Sequence, residues 1–299
     1  MASYSYRIVN VFTRADDVFS GNPLCVFENA QGLSAAAMQS LALQFNLSET
    51  TFILPSTRAS ARVRIFTPAY EMPFAGHPTL GTAHVCHALG LAGDSSTNLT
   101  LEMTAGVIPV QGKVEGKRCR WTLQANAPVW REVERDPVWL AAMLGLQPAD
   151  IGDRPLWVKA GREQLVVPLA SAEAVRRAIA DPARLAALRS EDGASMVYVF
   201  AIEGPGNGCG AAAAARVLAR FFFPGNGGAV LEDPATGSAA SNLGGWAVAM
   251  GLPLPQLFAI SQGEQVGRPS TLDVEVDPQR RIFVSGEVIE LGRGVITLP

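Results

Sequence analysis

Two short stretches place groups capable of chemistry just ahead of what reads as a helix. In "AGHPTLGTA" (75–83) a His precedes a Pro, and in "EDPATGSAA" (232–240) an Asp does. Pro near a helix start costs no hydrogen bond, because the first amides of a helix have no partner within it. Those amides, together with the helix dipole, form a site for an anion. Gly81 and Gly237 leave room for a ligand to approach the backbone, and Thr82 and Ser238 add hydroxyl donors. Two such starts facing each other would hold a small carboxylate and stabilise enolate-like charge beside it. Asp233 alone reads better as an ordinary N-cap; with His77 at the matching place in the other half of the chain, a shared function is the stronger reading.

Proton chemistry also needs a base of tunable strength. Glu49, in "NLSETTFIL", stands between apolar segments with few nearby residues to pair with it. Burial would raise its pKa and suit it to proton transfer near neutrality; a capping Glu beside Ser48, or a surface Glu at a strand edge, is the plainer alternative. His84 and His87 lie three residues apart with Cys86 between them, yet no carboxylate stands at ligand spacing and the surroundings are apolar, so core histidines are expected and no metal. No G-x-G-x-x-G follows a strand, no phosphate-binding lysine loop occurs, and "GNGCG" (206–210) lacks the context for either. Chemistry without a cofactor is expected.

These groups need a scaffold. The 299 residues suffice for two lobes of roughly 150 residues, and clefts between lobes are where small-molecule sites form. The formal charge of −3, with Lys and Arg scattered, offers no basic stripe for nucleic acid and no polybasic membrane anchor. The N-terminal stretch lacks a leader pattern, and no segment approaches the ~20 apolar residues of a membrane span. Cys25, Cys86, Cys119 and Cys209 are far apart, as expected of thiols in a reducing cytoplasm.

Strand chemistry appears in "YRIVNVFT" and "NPLCVFE", which read as a hairpin, then in "SETTFILP" and "ARVRIFTP". Between these pairs "SAAAMQSLALQF" has helical spacing behind Ser34, with Asn46 at its stop. "TLGTAHVCHALGL" reads as a buried helix, "DPVWLAAMLGL" as a helix capped by Asp136, and "SAEAVRRAIADPARLAALR" as a helix in two pieces. Sliding the chain by 156 positions lays "RIFTPAYEMPFAGHPTLGTAH" (64–84) on "RFFFPGNGGAVLEDPATGSAA" (220–240) without a gap. Arg64 meets Arg220, Pro78 meets Pro234, Gly81 meets Gly237, and His77 meets Asp233. The match turns residues 215–223 into a strand, against the helical propensity of their alanines.

The motifs "DVFSGNPLCVF", "NLSETTFI", "FTPAYEMPFAGHPTLGTAH", "FFPGNGGAVLEDPATGSAASNLGGW" and "QGEQVGRPS", in this order and over nearly the whole chain, resemble the phenazine-biosynthesis (PhzF-like) isomerase family. The resemblance implies an α+β chain of diaminopimelate epimerase fold. Two similar lobes, each a curved, mostly antiparallel sheet around a central helix, would span 1–125 (completed by 287–299) and 126–286, with the site between them. It implies Glu49 as the proton-shuttling carboxylate and His77 and Asp233 as its partners. Ser238, Gly76 and Gly237 fall at substrate-binding positions, and Asn22 of "GNP" is a further candidate. A homodimer is usual for the family, while the cytoplasmic location is expected from the N-terminal stretch and the cysteines. Racemases of this architecture carry one Cys on each helix-start loop, and neither loop here has one, which favours a one-base proton shift. The expected function is a cofactor-independent isomerase of a small unsaturated or cyclic carboxylate. A cysteine-independent epimerase and a non-catalytic binding scaffold of the same fold are the alternatives.

Overall fold

The computed structural model describes residues 1–14, 17–92, 97–115, 118–205 and 214–298; Asp16, Gly93, Cys209 and the 206–210 segment lie outside them. The chain divides into two compact units, Met1–Gln124 with Ser285–Pro299, and Ala125–Val284. In the first, β1 (Ala2–Val11) and β2 (Asn22–Phe27) form the antiparallel hairpin, followed by α1 (Ala35–Phe45), β3 (Glu49–Leu54), β4 (Ala61–Phe66) and the short β5 (Glu71–Met72). The buried helix α2 (Gly76–Ala88) comes next, then β6 (Asn98–Met103), β7 (Gly106–Glu115) and β8 (Arg118–Gln124), which pair antiparallel in sequence.

The second unit contains β9 (Val129–Glu132), α3 (Pro137–Met143), β10 (Leu156–Lys159), β11 (Gln164–Pro168), α4 (Ala172–Arg177), α5 (Pro182–Ala187) and β12 (Val197–Pro205). It continues with β13 (Ala215–Pro224), β14 (Val230–Glu232), α6 (Gly237–Ala249), β15 (Gln256–Gln262) and β16 (Ser270–Val276). The last strand, β17 (Ile282–Leu298), leaves this unit and pairs with β1 along Ala2–Val11.

The two units repeat one path. In each, a parallel pair bridged by a helix or two (β2–β3; β11–β12) leads into an antiparallel pair (β3–β4; β12–β13). A short hairpin strand follows (β5; β14), and the central helix then crosses to a parallel neighbour (β4–β6; β13–β15). Parallel neighbours require such crossovers. Registers agree as well: Phe52 faces Arg64, and Val199 faces Arg220. Residues 215–223 lie in β13, as the repeat requires.

The repeat does not run without a gap. Phe66 pairs with Glu71, five residues on, but Phe222 pairs with Glu232, ten residues on. The second hairpin is therefore five residues longer, and the helices it leads to begin at Gly76 and Gly237, 161 residues apart rather than 156. This corrects the pairing expected from sequence. His77 and Ser238, each the second residue of its helix, are topological counterparts, whereas Asp233 precedes the N-cap Thr236 and belongs to the lengthened loop.

The strands β2, β3 and β11 are buried along nearly their whole length, as expected of strands covered on both faces, whereas β6 and β16 alternate buried and part-exposed residues. On β2, Cys25 and Phe27 face α1 in a cluster with Met38, Leu41, Ala42, Phe52 and Phe66. Leu24 faces α2, so close that a Cβ on Gly81 would stand 2.6 Å from its Cδ2. Gly81 thus serves helix-to-sheet packing, not ligand approach. On the outer face of the second unit, Leu140, Met143, Val175 and Leu185 from α3, α4 and α5 cover Leu165, Val167, Val197 and Val199. Each such side chain contributes about 1.5–3 kcal/mol on burial. The caps follow the sequence: Ser34 accepts from Ala37 N–H, Asn46 ends α1 in the left-handed region (φ 52°), and Asp136 accepts from Trp139 N–H.

Candidate active site

In the first unit, Glu49 and His77 come together from different elements. Glu49 opens β3, three residues after the left-handed Asn46 has stopped α1. His77 is the second residue of α2. A buried hydroxyl pair, Thr51 Oγ1 to Thr82 Oγ1 at 2.8 Å, ties that strand to that helix. Glu49 Oε2 then stands 3.4 Å from His77 Nε2, both side chains being largely buried.

Burial pushes the His77 pKa down to about 3, against the opposing influence of its hydrogen bond to the Pro23 backbone. Nε2 has no hydrogen-bond partner among the described residues, so the ring donates to Pro23 through Nδ1. The separation from Glu49 is within ion-pair reach, but the neutral ring makes it a contact of imidazole and carboxyl, with the Nε2 lone pair turned to Glu49. Pro23 sits at the head of β2 beside the fully buried Asn22. Ahead of Asn22, Gly21 has φ +80°, and a Cβ there would meet Val11 O at 2.5 Å, so the approach to the strand requires glycine. Gly76, the first residue of α2, is half-buried beside His77.

In the second unit, Thr236 Oγ1 donates to Asp233 Oδ2 at 2.5 Å. Gln262, fully buried at the end of β15, donates from Nε2 to both Asp233 O (2.9 Å) and Thr236 Oγ1 (3.0 Å). That second bond occupies the Thr236 oxygen as an acceptor and directs its hydrogen to Asp233. Gly263 allows this approach: at φ +84°, a Cβ would lie 2.5 Å from Pro234 O. Gly237 and Ser238 open α6 behind Thr236, and their amides have no carbonyl behind them within the helix. Gln164 Nε2 donates to Ser238 Oγ at 2.9 Å, and Asn242 Nδ2 donates to Gln164 Oε1 at 2.8 Å.

Gln164, Asn242 and Gln262 carry the hydrogen bonds around the start of α6, and the sequence reading does not single them out. "QGEQ" was recognised only as a motif. Ser238 and Asn242 are four apart on one helix, a spacing that puts them on one face, while Gln164 opens an otherwise apolar strand. His84 and His87 stand edge-on to Trp121, and His84 Nδ1 accepts from Trp121 Nε1 at 3.4 Å. Burial raises the thiol pKa values of Cys25 and Cys86, the latter to about 12, so neither is a thiolate near neutrality. Among the described residues, no helix is long and apolar enough to cross a membrane.

A protein of Pasteurella multocida named as an uncharacterized isomerase is 38% identical over 302 residues, covering 100% of this chain and 96% of that protein. The trans-2,3-dihydro-3-hydroxyanthranilate isomerase of Pseudomonas chlororaphis is 36% identical, covering 99% of this chain and 100% of its own length. A solved structure from Pseudomonas aeruginosa, described as a predicted epimerase, is 30% identical and superposes with a TM-score of 0.81, covering 99% of this chain and 100% of that one. Likeness of this extent, in sequence and in path, makes the protein an isomerase of epimerase-type α+β fold. The family model for phenazine biosynthesis-like proteins (PhzC-PhzF) matches residues 9–294, and the chain belongs to that family.

Proposed function

We propose that this isomerase moves a proton between carbons of a small unsaturated or cyclic carboxylate, without a cofactor, and that Glu49 is the group that carries the proton. The reading rests above all on the 3.4 Å contact of Glu49 Oε2 with a neutral His77 Nε2. With the Nδ1 hydrogen committed to Pro23, Nε2 acts as an acceptor that steadies a proton held by Glu49. Glu49 takes the proton from one carbon and returns it to another on the same face of the substrate. The helix starts at Gly76 and at Gly237–Ser238 bind the carboxylate, Asn22 lines the first of them, and Asp233 orients the substrate from its braced loop. The buried, protonated thiols give a two-thiol mechanism no support.

The named activity of the Pseudomonas relative supports this substrate class. The test uses trans-2,3-dihydro-3-hydroxyanthranilate in deuterated water. The expected product has a shifted double bond and deuterium at the new C–H position, and Glu49→Gln lowers turnover by roughly 10²–10⁴-fold. Full activity of Glu49→Gln would remove the assignment. Deuterium incorporation with inverted configuration and no bond shift would make the protein an epimerase instead.

A further inference from the structure

The second helix start is wired to the sheet by a chain of amides that runs in one direction only. Asn242, fully buried on α6, accepts the Ala160 N–H at Oδ1 (2.7 Å) and donates from Nδ2 to Arg162 O (3.0 Å) and Gln164 Oε1 (2.8 Å). Exchanging its oxygen and nitrogen would set an NH₂ against an N–H and a carbonyl against a carbonyl, so its orientation is fixed by the backbone. Gln164, 1% exposed, therefore accepts at Oε1 and donates from Nε2 to Ser238 Oγ (2.9 Å). Ser238 Oγ is an acceptor on that side, and no described residue accepts its hydrogen.

The equivalent place in the first unit shows that the fold does not need these amides. By strand register Gln164 corresponds to Leu24, and by helix position Asn242 corresponds to Gly81. There the pair is an apolar contact of helix and strand. Buried amides cost desolvation that Leu and Gly avoid, so their presence on one side calls for a local reason.

We propose that Gln164 and Asn242 are positioning residues which fix the polarity of the Ser238 hydroxyl, committing its hydrogen to an anionic oxygen of the substrate. The inference rests on Ser238 being a substrate-binding residue. The chain makes that subsite selective for carboxylates over neutral groups that would offer it a donor, and it does so without a fixed positive charge.

Gln164→Glu keeps the shape and reverses the polarity, because the new carboxylate accepts from both Asn242 and Ser238. With trans-2,3-dihydro-3-hydroxyanthranilate, Gln164→Glu is expected to raise KM by 10-fold or more while kcat changes less than 3-fold. In a Ser238→Ala background the same change is expected to raise KM less than 3-fold, since no hydroxyl is left to turn. Gln164→Met, which removes the donor without adding charge, is expected to raise KM only about 3-fold. Equal effects of Gln164→Glu with and without the Ser238 hydroxyl, or loss in kcat alone, would overturn the proposal. The chain is also read without substrate: the side-chain amide protons of Gln164 and Asn242 are expected to exchange at least 10-fold more slowly than free amides in nitrogen-15 NMR spectra. Exchange at the free rate overturns the chain itself. Protected amides in an enzyme that does not turn over the compound overturn the functional reading, and with it the substrate half of the proposal, while leaving the chain established.

Discussion

The repeat supplies an internal control for what a buried ion pair contributes. Arg220 makes two bonds to Glu232 (3.1 and 2.7 Å), and its Nη1 donates to the carbonyls of Val175, Arg176 and Ala178 at the end of α4 (3.3, 3.2 and 2.6 Å). Its counterpart Arg64 makes two bonds to Glu71, both 2.7 Å. Each guanidinium also lies over the ring of a Phe two residues on. The surroundings differ: both partners of the Arg220 pair are 9% exposed, against 21% and 34% for Arg64 and Glu71. Arg220→Met leaves a buried carboxylate and three carbonyls without their donor, a loss of about 3–5 kcal/mol. Arg64→Met leaves groups that water can reach, a loss of about 1 kcal/mol. Urea unfolding near pH 7 measures both, followed by fluorescence, because Trp130, Trp139, Trp157 and Trp246 lie in the second unit and only Trp121 in the first. Arg220→Met is expected to move the midpoint at least twice as far as Arg64→Met. Midpoints displaced equally, or more by Arg64→Met, would refute the argument from burial.

Stability is expected to fall with pH in a defined window. Desolvation holds His77 at about 3 and His84 at about 4, so the folded protein binds fewer protons than the unfolded chain once pH drops below the ordinary histidine value near 6.5. The stabilisation is complete above that value and is lost as pH falls towards 4, at up to about 1.4 kcal/mol per pH unit for each ring. Urea midpoints between pH 6.5 and 5 isolate the histidines from the lowered carboxyls Glu71 and Glu290, and a flat profile there would contradict the burial argument. Gly81→Ala places a Cβ 2.6 Å from Leu24 Cδ2 and 2.9 Å from Val11 Cγ2. Overpacking of about 1–3 kcal/mol outweighs the ~1 kcal/mol gained in helix propensity, so a lower melting temperature is expected and a higher one would count against the packing role.

Local signals in the sequence carried a good part of the fold. Ser34, Asn46 and Asp136 mark helix ends through their own side chains or backbone, and these act within a few residues. Arg64 and Arg220 disclosed the duplicated strands, which is why an alanine-rich stretch could be read as β13. The lengthened hairpin escaped because Pro78 with Pro234 and Gly81 with Gly237 match at the wrong offset, small residues recurring around both helix starts. Nothing in the order of residues shows that five extra positions lie between Phe222 and Glu232. The contact of Glu49 with His77 depends on the Thr51–Thr82 tie across 31 residues, and the amide chain joins positions 78 residues apart. Such meetings are set by register and helix placement, which side-chain type alone does not encode.

The longer hairpin of the second unit has a meaning beyond alignment. A duplicated gene begins with two halves bearing the same groups at the same stations, and a symmetrical pair of sites is its default product. Here both helices have thirteen residues and open on Gly, while the loop before one of them is five residues longer and carries an acid held by Thr236 and Gln262. The asymmetry between the halves therefore lies in the length of a connection, where a change in length disturbs little. Further divergence of this scaffold has the same route open to it: new groups can be added on that loop while both central helices stay as they are.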